Sequence, residues 1–65
     1  MKINYTYMDL FTIEYYRNDK LACVDRSGKM LEAVAEQAHK IALANGFNRV
    51  IIRRKESGKT VAIIE

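Results

Sequence analysis

Proline and tryptophan are absent from the 65 residues of this chain, and it has only three glycines, one cysteine and one histidine. The scarcity of proline and glycine, with a hydrophobic content of 49%, argues against a disordered or collagen-like chain. One cysteine cannot close a disulfide within the chain, and one cysteine with one histidine cannot supply the clustered ligands of a zinc site. We therefore expect a folded domain with no metal site and no cofactor; this count of ligands does not exclude carboxylate sites for hard cations.

Long apolar runs are also missing. None approaches the ~20 residues of a membrane span, and residues 1–7 alternate polar and apolar side chains where a signal peptide needs a continuous apolar stretch. Together with the unpaired Cys23, this predicts a cytoplasmic protein with no membrane partner.

The length of the chain limits what it can enclose. A chain of this size buries only ~60% of its unfolded surface, so we expect a single compact domain over residues 1–65, with no small-molecule pocket. Small domains that have neither disulfide nor metal often gain stability by oligomerising. A homodimer is therefore expected.

The charge is unevenly distributed along the chain. The formal net charge is +3, but residues 1–36 carry five basic and six acidic side chains, whereas residues 37–65 carry six basic and two acidic ones. The positive field therefore belongs to the C-terminal part of the chain.

Apolar and polar residues alternate over residues 2–17, which is typical of strands with one buried face. Whether this stretch is one bent strand or two is open, because residues 8–10 contain no glycine, proline or asparagine. Asn18 and Asp19 tolerate left-handed backbone and predict a two-residue hairpin turn. Such a turn would set Ile13 opposite Val24 and Tyr15 opposite Ala22.

A helical period follows from about Lys29 to Ala44, with Ser27 as the predicted N-cap and Asn45-Gly46 as a left-handed stop. The stripe expected to lie on the sheet consists of Leu31, Val34, Ala35, Ala38, Ile41 and Ala42.

A second hairpin is predicted in residues 49–65. If Ser57 and Gly58 form a two-residue loop, Ile52 lies opposite Ile63 on the core side, and Ile51 lies opposite Ile64 on the other side. The predicted fold is therefore α+β: a small antiparallel sheet of four or five strands with one helix packed on one face, in the order β-hairpin, helix, β-hairpin.

Apolar residues on the second face of this sheet indicate that a second copy or one protein partner covers it. We therefore interpret the chain as a small non-catalytic binding module that acts through its sheet surface, and its size also suits an accessory protein of a mobile element. The predicted protein interface consists of Tyr16, Leu21, Ile51, Ala62 and Ile64.

The alternative hypothesis is nucleic-acid binding through the basic C-terminal hairpin, because cations on a strand can follow a phosphate backbone. The candidate residues are Arg49, Arg53, Arg54, Lys55 and Lys59. The competing interpretation is that these charges keep an outer strand soluble, and a net charge of +3 is modest for a nucleic-acid binder.

No catalytic residue is predicted. His39 falls on the helix face expected to be wet, where no pocket tunes its basicity. Cys23 lies in the middle of a predicted strand, which favours a buried, inert thiol over a nucleophile. We therefore do not expect an enzyme.

Overall fold

The computed structural model describes residues 10–65, which form two hairpins separated by one helix. The elements are β1 (Phe11–Arg17), β2 (Lys20–Ser27), α1 (Leu31–Asn45), β3 (Arg49–Arg54) and β4 (Thr60–Ile64). The strands form one antiparallel sheet in the order β2-β1-β3-β4. The predicted α+β class and the order hairpin, helix, hairpin are confirmed, whereas the alternation predicted over residues 2–9 lies outside the described residues.

The core lies between the helix and the two central strands. Its buried side chains are Phe11, Ile13 and Tyr15 of β1, Val34, Ala38 and Ala42 of α1, and Val50 and Ile52 of β3. The predicted helix stripe is confirmed, because its other members, Leu31, Ala35 and Ile41, pack against this core. The alanines let the helix backbone approach the sheet closely.

The first hairpin turns at Asn18 and Asp19, whose φ angles of 53° and 65° lie in the left-handed region. The predicted turn is therefore confirmed, but the predicted register is wrong beyond it. A bulge between Tyr15 and Tyr16 sets Tyr15 opposite Cys23 rather than Ala22, and Ile13 opposite an aspartate rather than Val24. Because β2 is almost wholly exposed, burial does not enforce the register there.

The second hairpin also differs from the prediction by one residue. Its loop spans residues 55–58, since the Arg54 N–H donates to the Lys59 carbonyl at 2.8 Å and the Gly58 N–H donates to the Arg54 carbonyl at 2.8 Å. Gly58 adopts a φ of 74° and provides the left-handed step. The longer loop and a bulge between Ile52 and Arg53 together set Ile52 opposite Ala62 and Ile51 opposite Ile63.

The helix begins later than predicted and ends where the sequence indicates. Ser27 is the last residue of β2 and not the N-cap; its Oγ accepts a hydrogen bond from the Lys29 N–H at 3.1 Å, and the N-cap position falls on Met30 without a side-chain bond. At the other end Gly46 has a φ of 74°, and its N–H donates to the Ala42 carbonyl. The predicted left-handed stop is confirmed.

Candidate interaction surface

The helix packs on one side of the sheet and leaves the other side uncovered by any described residue. We call this uncovered side the open face. Because side chains alternate along a strand and paired residues point the same way, the open face is formed by the residues between the core positions. These are Thr12, Glu14, Tyr16, Leu21, Val24, Arg26, Arg49, Ile51, Arg53, Thr60 and Ile63.

Apolar side chains occupy both outer strands of the open face. Leu21 and Val24 on β2 are each 52% exposed, and Ile63 on β4 is 58% exposed. Ile51 lies opposite Ile63 and is half-buried, and Tyr16 lies opposite Leu21. A sheet with one covered face should present polar residues on the other, so these side chains mark a surface suited to contact.

Two of the five predicted interface residues lie on the wrong side for that role. Ala62 and Ile64 point toward the helix and pack against the core, because the loop at residues 55–58 and a bulge between Ile52 and Arg53 together move β4 by one position from the predicted pairing. A slip of one residue turns every side chain of a strand to the other face. The structure thus brings Tyr16, Leu21 and Ile51 together on the open face. It adds Val24 and Ile63 to this face, although the sequence pattern predicts both on the core side.

The centre of the open face holds a hydrogen-bonded network around Glu14. Its Oε1 accepts a hydrogen bond from the Tyr16 hydroxyl at 2.9 Å and one from the Arg53 Nε at 3.3 Å. Arg53 also donates from Nη1 to the Thr60 Oγ1 at 2.8 Å. The hydrogen bond to Glu14 raises the pKa of Tyr16 above its ordinary value, with smaller contributions from burial and from the carboxylate charge.

A second ionic contact closes one end of the open face. The Arg49 Nε lies 3.0 Å from the Glu65 Oε2, and the Arg49 Nη2 lies 3.4 Å from the Asp19 Oδ1. These contacts connect β3 to the residue after β4 and to the turn of the first hairpin. The two arginines of the open face that belong to β3 are therefore both neutralised by carboxylates of the same chain.

The predicted basic cluster is divided by the structure. Arg49 and Arg53 are ion-paired on the open face, whereas the Arg54 guanidinium lies 5.8 Å from the centre of the Phe11 ring. Lys55 and Lys59 are exposed at the loop between β3 and β4. A nucleic-acid site needs cations that point to one side and have no carboxylate partners. Two of the five candidate residues, Arg49 and Arg53, do have such partners.

The β2 strand is an edge strand in the described part of the chain. Seven of its eight residues are exposed, including Cys23, because the helix lies over β3 and β4. The expectation of a buried thiol is therefore wrong. His39 is exposed on the outer side of the helix, as the sequence predicts.

A cleft of about 210 Å³ lies between α1 and β2. Ile13, Tyr15 and Val34 contribute buried apolar surface to it, while Asp25 and Lys29 are exposed at its rim. Burial is the main cause that raises the pKa of Tyr15, and the nearby Asp25 and Cys23 add to it. The opposite charges at the rim favour no single class of charged ligand.

No protein-family model, curated protein or solved structure matches this chain. Among residues 10–65, no three histidine, cysteine, aspartate or glutamate side chains are grouped to hold a metal ion. Over the same residues, no helix has the length and apolar character needed to cross a membrane.

Proposed function

We propose that this protein is a small non-catalytic binding module that acts through the open face of its sheet, and that its partner is a second copy of the chain. The observation that carries the proposal is the combination of exposed Leu21, Val24 and Ile63 with charges that are already paired on the same face. Burying apolar surface of this kind contributes about 25 cal/mol per Å².

The pairing of charges supports a second copy over a charged partner. Arg49 and Arg53 bind carboxylates of their own chain, so a polyanion would have to displace those carboxylates before it contacted these two arginines. The two paired arginines therefore do not oppose contact with a copy of the chain, whereas Arg26 on the same face has no ion pair among the described residues. The single cysteine of the chain supports a cytoplasmic location as part of this proposal.

The test is the solution mass of the purified protein as a function of concentration, by light scattering at low and high salt. A dimer that persists at high salt is the expected result, because the apolar part of the contact is not screened. A strict monomer at the highest soluble concentration would overturn the proposal. A monomer that carries nucleic acid until salt removes the nucleic acid would instead support the alternative hypothesis of nucleic-acid binding.

A matched pair of variants locates the surface. Leu21→Glu places a charge on the open face and should weaken the dimer, whereas Leu43→Glu makes the same change on the outer side of the helix, where Leu43 is 72% exposed. Equal weakening by both variants would show that the open face is not the contact. Thermal unfolding of each variant establishes that the monomer is still folded.

A further inference from the structure

The side chains of β2 are arranged so that two antiparallel copies of this strand are complementary to each other. The bulge at residues 21–23 places Leu21 opposite Tyr16 and Val24 opposite Glu14, so that both apolar side chains lie on the open face although they are three residues apart. Lys20 lies opposite Arg17, and Asp25 lies opposite Ile13. The lysine and the aspartate therefore both point to the helix side of the sheet.

We propose that two copies of the chain pair antiparallel along β2, with Lys20 of one copy opposite Asp25 of the other and Leu21 opposite Val24, each contact occurring twice about a two-fold axis. This inference rests on the proposed self-association and places the second copy beside the edge strand β2, where the open-face residues Leu21 and Val24 of the two copies meet. It joins the two sheets into one and satisfies backbone groups on the outer edge of β2, which no described strand pairs.

The side-chain directions support this register. Residues opposite one another in an antiparallel pair must point to the same side. Leu21 and Val24 share the open face, and Lys20 and Asp25 share the helix side, so both requirements are met at once. Without the bulge, residues three apart would point to opposite sides and the pairing would fail.

The charges select this register from the others that keep the faces matched. Setting Val24 opposite Val24 brings Lys20 opposite Ser27 and forms no ion pair. A further slide sets Asp25 opposite Asp25, and like charges directly opposite each other destabilise a sheet. Charged residues on an edge strand discourage indiscriminate pairing, and here they leave one attractive arrangement.

The other edge strand lacks this complementarity. In the described part of the chain, β4 spans Thr60–Ile64 and contains no charged residue, so no register of two β4 strands gains an ion pair. It is also shorter than β2, with five residues against eight. The helix contacts β4, whereas seven of the eight residues of β2 are exposed in the described part of the chain.

The decisive experiment mixes two charge-reversal variants. Lys20→Asp and Asp25→Lys should each weaken self-association by about tenfold or more at low salt, because each sets like charges opposite one another twice. An equimolar mixture of the two should form a heterodimer, because each aspartate of one variant then lies opposite a lysine of the other. Both variants keep a positive formal net charge, so non-specific attraction would not produce this result.

Lys59→Asp is the matched control, because it makes the same change of charge at an exposed lysine far from β2 and should leave the dimer unchanged. If the single variants dimerise as the unmodified protein does, or if the mixture shows no heterodimer, the β2 pairing is overturned while the proposed self-association stands. A monomeric unmodified protein would instead overturn the proposed function. Thermal unfolding checks that each variant is folded.

A second measurement does not depend on charge. In a Cys23→Ser background, Leu21→Cys and Val24→Cys variants are mixed and exposed to oxidised glutathione. Opposite residues in an antiparallel pair lie ~4.5–5.5 Å apart at Cα, within the range of a disulfide, so the mixture should yield a cross-linked heterodimer. A Leu43→Cys variant provides the background of random cross-linking, and cross-linking of the mixture at that background level would contradict the register.

Discussion

The guanidinium of Arg53 donates from Nε to Oε1 of Glu14 at 3.3 Å, although the two residues are 39 positions apart in the sequence. The contact crosses from β3 to β1 on the open face, where the side chains of Glu14 and Arg53 are 21% and 35% exposed. It removes a cation from the surface that the sequence marked as basic. The open face therefore combines two paired β3 arginines with exposed apolar groups.

Replacing Glu14 by glutamine should reduce the free energy of unfolding by about 1 kcal/mol, because Arg53 and Tyr16 lose a charged acceptor in a partly buried site. Urea unfolding measures the change. Glu36→Gln is the control: Glu36 lies 3.9 Å from Lys40 on the exposed side of the helix, and removal of that contact should cost about 0.3 kcal/mol. Equal losses would show that the Glu14 network adds nothing beyond a surface ion pair.

Stability should fall as the pH rises above the ordinary tyrosine pKa of 10.0, because Tyr15 and Tyr16 both have raised pKa values in the folded protein. Above this pH the unfolded chain loses protons that the folded chain retains, so unfolding becomes more favourable. Tyr16→Phe should flatten this decline. Unfolding free energies of both proteins from neutral to alkaline pH provide the test, and identical slopes would contradict the assignment to Tyr16.

Two isoleucines of the second hairpin should respond differently to the same substitution. Ile52 is 0% exposed and Ile63 is 58% exposed. Ile52→Val should cost about 1 kcal/mol through a lost methylene and the space it leaves, whereas Ile63→Val should change the stability of the monomer by less than about 0.5 kcal/mol. Chemical denaturation below the concentration of self-association separates the two. Similar losses of stability in the two variants would contradict the assignment of Ile52 to the core and Ile63 to the surface.

Gly46 should tolerate asparagine better than alanine. Its φ of 74° ends the helix, and a Cβ added there meets no atom within 4 Å, so the cost of substitution comes from the backbone alone. Gly46→Ala should destabilise the protein by about 1–2 kcal/mol, and Gly46→Asn should recover part of this because asparagine adopts the left-handed conformation more readily. Circular dichroism on heating compares the variants, and equal losses would contradict a purely conformational cost.

Local sequence patterns were sufficient to predict the strands and the helix, the turn of the first hairpin and the end of the helix. The turn at Asn18 and Asp19, the helix stop at Gly46 and the buried stripe through Val34 and Ala38 follow from chain chemistry that acts within a few residues. The apolar stripe had one surface on which it could be buried, so the side of the helix facing the sheet was also predictable.

The two edge strands were assigned the wrong register for a different reason. The bulge in β2, and the loop of residues 55–58 with the bulge next to it in the second hairpin, leave no strong signal in the local sequence, yet each hairpin differs by one position from its predicted register. In β4 the shift exchanged Ala62 and Ile64 for Ile63 on the open face. Edge strands are open to such shifts because burial constrains them on one face at most.

The sequence by itself determined a helix with one apolar stripe, two hairpins, and a turn whose residues tolerate a left-handed backbone conformation. These features depend on residues that are neighbours in the chain. The tertiary structure decided which side chains share the open face, which arginines are neutralised by Glu14 and Glu65, and where the helix lies on the sheet. Those features depend on the register between distant segments, and register is set by packing across the sheet.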